Sequence, residues 1–163
     1  MKLDEAYNKV GESQVFKKWH EENNDSYLCH AFVMYDPKVK NEWQLGYYNK
    51  ESDRIVTFTV SDKITKNPES EVFKEKGIVK KLDFEKVKIT VEEADKISSD
   101  VQKKEYSAHL PVKKIMILQN LDVGQVWNIT LVTATFKTIN IKVDSFSGKV
   151  IKHTLVDFFK VEK

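Results

Sequence analysis

Residues 126–150 read VWNITLVTATFKTINIKVDSFSGKV, and their alternation decides the fold class. Over 129–136 and 138–144, apolar and polar side chains alternate with the period of two that a strand with one buried face requires. Ile139, Ile141 and Val143 share one face, and the residues between them are polar. Phe146-Ser147-Gly148-Lys149 supplies the glycine that a tight turn needs for positive φ, so the chain is expected to return antiparallel along 149–159. Upstream, Thr90-Val91-Glu92-Glu93 has the form of a capping box, which satisfies two backbone N–H groups at a helix start, and Ala94, Ile97, Val101 and Ala108 recur near helical spacing. Residues 115–118 are an apolar run too short for a helix and predict a central strand, with Pro111 at its beginning. Residues 90–163 therefore read as an α+β unit, a helix laid on one face of an antiparallel sheet.

The same order appears in residues 1–89. Glu5-Ala6 and Lys9-Val10 match Glu93-Ala94 and Lys96-Ile97 at a helix start. Trp43-Gln44-Leu45 matches Trp127-Asn128-Ile129 at a strand start, with Val56, Phe58 and Val60 answering Ile139, Ile141 and Val143. A third match pairs Leu82-Asp83-Phe84-Glu85-Lys86-Val87 with Val156-Asp157-Phe158-Phe159-Lys160-Val161. Three anchors in register predict duplication, with residues 61–80 longer than their counterpart 144–154 by about ten residues, as an insertion in a hairpin allows. The first helix is expected over 4–22 with a weak point at 11–14, where Gly11 lowers helix propensity, and residues 27–35 as the central strand of the first sheet. No Gly, Pro or Ser linker separates the halves near residue 89, so the expectation is two tandem units, 1–89 and 90–163, packed as one rigid body.

The balance of 27 basic against 25 acidic residues creates no field strong enough to capture nucleic acid or an anionic membrane. Lys17-Lys18, Lys80-Lys81, Lys103-Lys104 and Lys113-Lys114 are nearly all neighboured by Glu or Asp, so no nucleic-acid partner is expected. No stretch approaches the roughly 20 apolar residues of a membrane span. Lys2, Asp4, Glu5, Asn8 and Lys9 interrupt any apolar leader, which places the chain in the cytoplasm if Met1 is the native start and outside it if a signal or anchor has been removed. Cys29, the single cysteine, reads as a small hydrophobe in an apolar run.

The second unit resembles the PepSY domain, a module named from peptidase propeptides and of PepSY/cystatin-like architecture. The likeness runs through Ile89-Thr90-Val91-Glu92-Glu93-Ala94, Val126-Trp127-Asn128-Ile129 and Ile141-Lys142-Val143-Asp144-Ser145-Phe146-Ser147-Gly148-Lys149-Val150, where a strand ending in Val-Asp meets a short turn closed by glycine. It reaches the first unit only through the repeat: Glu5-Ala6 and Trp43 match, whereas Val60-Ser61-Asp62-Lys63 lacks the glycine. The resemblance implies a non-catalytic module that regulates a peptidase or binds another protein. It brings no catalytic residues with it.

Residue by residue, no enzyme chemistry is expected. Cys29 and His30 have the identities of a nucleophile and its base, but neighbours on a regular strand point to opposite faces. His20, His30, His109 and His153 lack metal-ligand spacing, and the five glycines form no phosphate loop, so neither metal nor cofactor is expected. Trp43 and Trp127 read either as matched core residues against their own helices or as an aromatic patch for a partner. The returning strand from Lys149, with Val150, Ile151, Phe158 and Phe159, is more apolar than an unguarded edge. It is read as either covered by the other unit or the place where a peptide, a protein or a second copy docks. The alternative from another class is a small-molecule-binding or hydrolase-like α+β domain with a cavity between sheet and helix.

Overall fold

The computed structural model describes residues 1–71 and 78–157. Helices α1 (Leu3–Glu12) and α2 (Gln14–Glu22) precede strands β1 (Tyr27–Tyr35), β2 (Trp43–Asn49), β3 (Arg54–Val60) and β4 (Ile64–Lys66). A 3-10 turn at Phe84–Lys86 leads to α3 (Val91–Glu105), then β5 (Pro111–Leu121), β6 (Gly124–Thr133), β7 (Lys137–Asp144) and β8 (Val150–Asp157). The strands form one antiparallel sheet in the order β4-β3-β2-β1-β5-β6-β7-β8. The fold is thus α+β, and each half of the chain contributes helical structure followed by four strands laid in sequence.

Local chemistry explains the helix boundaries. The Thr90 hydroxyl accepts from the Glu93 N–H at 3.1 Å while the Glu93 carboxylate accepts from the Thr90 N–H at 2.8 Å, closing the capping box. In the first half the expected single helix over 4–22 is two, because Ser13 takes extended φ and ψ. Its hydroxyl accepts from the Phe16 N–H at 3.3 Å and so starts α2. The turn after β7 is held by the Asp144 carboxylate, which accepts from the Ser147 and Phe146 N–H groups at 2.8 and 2.9 Å, and Gly148 takes φ +77°. The Ser147 bond, with help from that of Phe146, holds the Asp144 carboxyl below the usual carboxylate range.

One face of the sheet carries the helices. Leu45, Phe58, Met116, Leu118, Ile129, Leu131, Ile139 and Ile141 are fully buried beneath them, together with Ala6, Val10 and Ala94 from the helices. Trp43 begins β2 and Trp127 lies in β6, each the second strand of its half, and their rings meet at 6.3 Å. The Trp43 indole donates to the Met1 carbonyl at 3.0 Å and that of Trp127 to the Ile89 carbonyl at 2.8 Å. Each acceptor lies two residues before the first residue of a helix, α1 or α3.

Three expectations are corrected. The runs expected as centres of two sheets, β1 and β5, pair with each other from His30↔Gln119 to Tyr35↔Lys114 and merge everything into a single sheet. The third repeat anchor does not hold where both copies are described: Leu82 and Asp83 lie in coil, Leu82 donating its N–H to the Leu28 carbonyl at 2.9 Å, whereas Val156 and Asp157 are strand, and residues 158–161 lie outside the described residues. Finally, no described residue of the other half pairs with β8. The halves join through β1 and β5, so β8 is the outermost strand, and among the described residues nothing pairs with its outer edge.

Candidate functional site

Paired residues in an antiparallel sheet share a face, so the register defines what the helix-free side displays. At the seam between the halves it displays Phe32 opposite Ile117 and Met34 opposite Ile115, all four half-buried. An open antiparallel face is ordinarily polar, and this one carries a large apolar centre where the two halves meet. On one side of that centre runs a polar row: Lys142 Nζ donates to Asn140 Oδ1 at 2.8 Å, Asn140 Nδ2 to Asn128 Oδ1 at 2.8 Å, and Asn128 Nδ2 to Gln119 Oε1 at 2.9 Å.

At one end of the seam a cavity of about 410 Å³ opens on this face, lined by Cys29, His30, Phe32, Thr57, Ile117 and Gln119 among others. Its size falls in the range of small-molecule sites. The charged groups at its rim are paired: Lys80 lies 3.2 Å from Asp122, and Arg54 reaches Glu71 at 3.9 Å.

Cys29 and His30 do not point to opposite faces as a regular strand requires. The register of β1 against β2 slips between Leu28↔Tyr47 and His30↔Gly46, leaving Cys29 as the extra residue of a β-bulge. The bulge brings both side chains to the open face, with Cys29 Sγ 3.6 Å from His30 Nδ1. Gly46 makes room for the ring, since a Cβ there would sit 2.0 Å from His30 Cε1. The Cys29 S–H donates to the Gly46 carbonyl at 3.4 Å.

This pair lacks the electrostatics of a catalytic dyad. Burial pushes the Cys29 thiol up to about 12 and the His30 imidazole down to about 4. A thiolate beside an imidazolium is disfavoured from both ends, whereas a reactive cysteine requires its thiol lowered. The consequence for stability follows in sign. Unfolded, His30 titrates near 6.5; folded, near 4, so its contribution is full above pH 6.5 and is lost as the pH falls through that window. We expect about 3 kcal/mol to be lost between pH 6.5 and 4 relative to a His30→Gln variant, measured by urea unfolding at each pH. Parallel pH profiles of the two proteins would refute it.

The other sequence-predicted positions lie elsewhere. Trp43 and Trp127 are buried, with 4% and 1% of their surface exposed, and their indole N–H groups are engaged. Val150 packs half-buried against the core and Ile151 is 37% exposed, both on β8. Phe158 and Phe159 lie outside the described residues. Among the described residues no three His, Cys, Asp or Glu side chains gather as a metal site. No helix among them is long and apolar enough to cross a membrane.

No family profile and no curated protein matches the chain. Its fold is similar to the crystal structure of a candidate lipoprotein from Clostridium difficile 630, with a TM-score of 0.57 and 14% identity over 86% of this chain and 90% of that one. At that identity the likeness is one of fold.

Proposed function

We propose that the chain is a non-catalytic binding module of two PepSY-like αβ units, and that its ligand or protein partner lies against the open face of the sheet. The observation that carries this reading is the apolar centre at the seam, Phe32, Ile117, Met34 and Ile115, on the face that no helix among the described residues covers. The two-unit reading draws support from the parallel placement of Trp43 and Trp127, each tied to the backbone just ahead of its helix. The neutral state of Cys29 and His30 favours binding over catalysis. A small-molecule reading has its own support in the cavity beside the seam, which lies on the opposite face from the sheet-helix cavity expected above.

Titrating the isotope-labelled protein with a library of blocked tetrapeptides tests the reading by NMR. Amide shifts should centre on β1 and β5, and a Phe32→Ser variant should bind at least tenfold more weakly, as loss of a central apolar contact of roughly 1.5–3 kcal/mol implies. Shifts confined to the helices or to β8, or binding unchanged by Phe32→Ser, would overturn it.

A further inference from the structure

The hydrogen bonds around the cavity have a direction, and it can be assigned without ambiguity of amide orientation. A lysine ammonium only donates. Lys142 therefore fixes Oδ1 of Asn140 toward itself, which turns the Asn140 amide nitrogen to Asn128, and the Asn128 nitrogen in turn to Gln119 Oε1. The chain of amides ends with the Gln119 –NH₂ group, which has no partner among the described residues, while the side chain lines the cavity. Hydrogen-bonded chains polarise one another, so a row that begins at a cation ends in a strengthened donor.

The opposite polarity stands directly across the strand pair, where His30 faces Gln119. A carbonyl only accepts, so when the one Cys29 hydrogen points to Gly46 at 3.4 Å, the sulfur 3.6 Å from His30 Nδ1 is left to accept from an Nδ1–H. His30 Nε2 is then a bare acceptor, again without a partner among the described residues. The bulge and the room left by Gly46 seat the ring beside Cys29.

We propose that the cavity binds an uncharged molecule through one N–H and one C=O facing the same way, the N–H donating to His30 Nε2 and the C=O accepting from Gln119 Nε2. A cyclic amide carries this pattern, and so does a single residue of an extended peptide. Phe32 and Ile117 pack against the apolar body of the ligand, and the paired charges at the rim select against a net charge. The inference rests on the open-face reading and narrows it to a ligand class.

Quinolin-2(1H)-one tests the cyclic-amide arm and N-acetyl-leucine methylamide the peptide arm, each titrated into the isotope-labelled full chain. N-methylquinolin-2-one, which keeps the ring and the C=O but lacks the N–H, serves as the control. Saturable shifts at His30 and Gln119 are expected with one of the two amides, and which one responds identifies the source. The methylated lactam should bind at least tenfold more weakly than its parent if the lactam is the responder. Gln119→Leu should weaken the responder about tenfold, and Lys142→Met by a smaller, severalfold factor, with folding of each variant checked by the unchanged spectrum elsewhere. Imidazole nitrogen shifts should show the Nδ1–H tautomer in the free protein. An Nε2–H tautomer, equal binding of the methylated lactam and its parent, or failure of both amides to bind would overturn the proposal. If the tetrapeptides nevertheless bind in a Phe32-dependent way, the open-face reading survives and only the ligand class falls.

Discussion

Replacing Gly46 by alanine, ordinarily a mild change within a strand, is expected to destabilise this protein by about 2–3 kcal/mol. The reason is the His30 ring. A Cβ at residue 46 would lie 2.0 Å from Cε1, 2.4 Å from Nδ1 and 2.6 Å from Nε2 of that ring, distances that no relaxation of a tenth of an ångström relieves. Either the imidazole leaves its seat or β2 moves away from β1. Both outcomes also break the contact of Cys29 with His30 and disturb the S–H bond to the Gly46 carbonyl. The sign of the effect should reverse once the ring is gone. In a His30→Ala background the new methyl group meets no ring, and glycine in a strand costs roughly 0.5–1 kcal/mol relative to alanine, so Gly46→Ala becomes neutral or stabilising there. Urea unfolding of the four proteins in this cycle measures the coupling. Additive losses would show that the glycine does not serve the histidine.

That glycine is also the best illustration of how far the sequence could be read. The alternation in 138–144 and the Ser147-Gly148 turn predict β7 and its return, and the Thr90 capping box predicts the start of α3, because each rests on a local rule that neighbouring residues satisfy among themselves. The bulge at Cys29 left no such trace. In Tyr27–Tyr35 nearly every residue is apolar or aromatic, so inserting one residue does not disturb any visible period. The one sign available was Gly46 itself, since a glycine inside a strand marks close approach of another group. The fusion of the halves was equally hidden. Which edges of two sheets meet is a matter of long-range complementarity, and β1 and β5 looked like the centres of separate sheets because they are apolar on both faces. Their second apolar face is the candidate binding surface. Phe32, Met34, Ile115 and Ile117 were thus present in the expected strands, but their role depends on a pairing that no local pattern specifies. The third repeat anchor shows the opposite error, in which Leu82-Asp83 lies in coil while the matching Val156-Asp157 is strand.

The joint between the halves on the helix side carries the second large effect. Trp127 is 1% exposed and lies in the main core, its ring 6.3 Å from that of Trp43 and its indole N–H on the Ile89 carbonyl at 2.8 Å. Trp127→Ala removes the largest fully buried side chain and is expected to cost about 3–5 kcal/mol, a large share of the 5–15 kcal/mol typical of a domain. Trp127→Phe retains much of the burial and isolates the hydrogen bond. The half-buried Ile89 carbonyl then loses its donor, for about 1–2 kcal/mol. Trp43→Phe should cost less, because Met1 is 56% exposed and water can replace the indole at its carbonyl. Since the two rings touch, the pair of alanine variants should also couple, by roughly 0.5–1.5 kcal/mol in a double-mutant cycle. Urea midpoints with unchanged slopes measure all of these. A loss below about 1.5 kcal/mol for Trp127→Ala, or an effect of Trp43→Phe exceeding that of Trp127→Phe, would show that the joint is held by the strand pairing of β1 with β5 and not by the tryptophans above it.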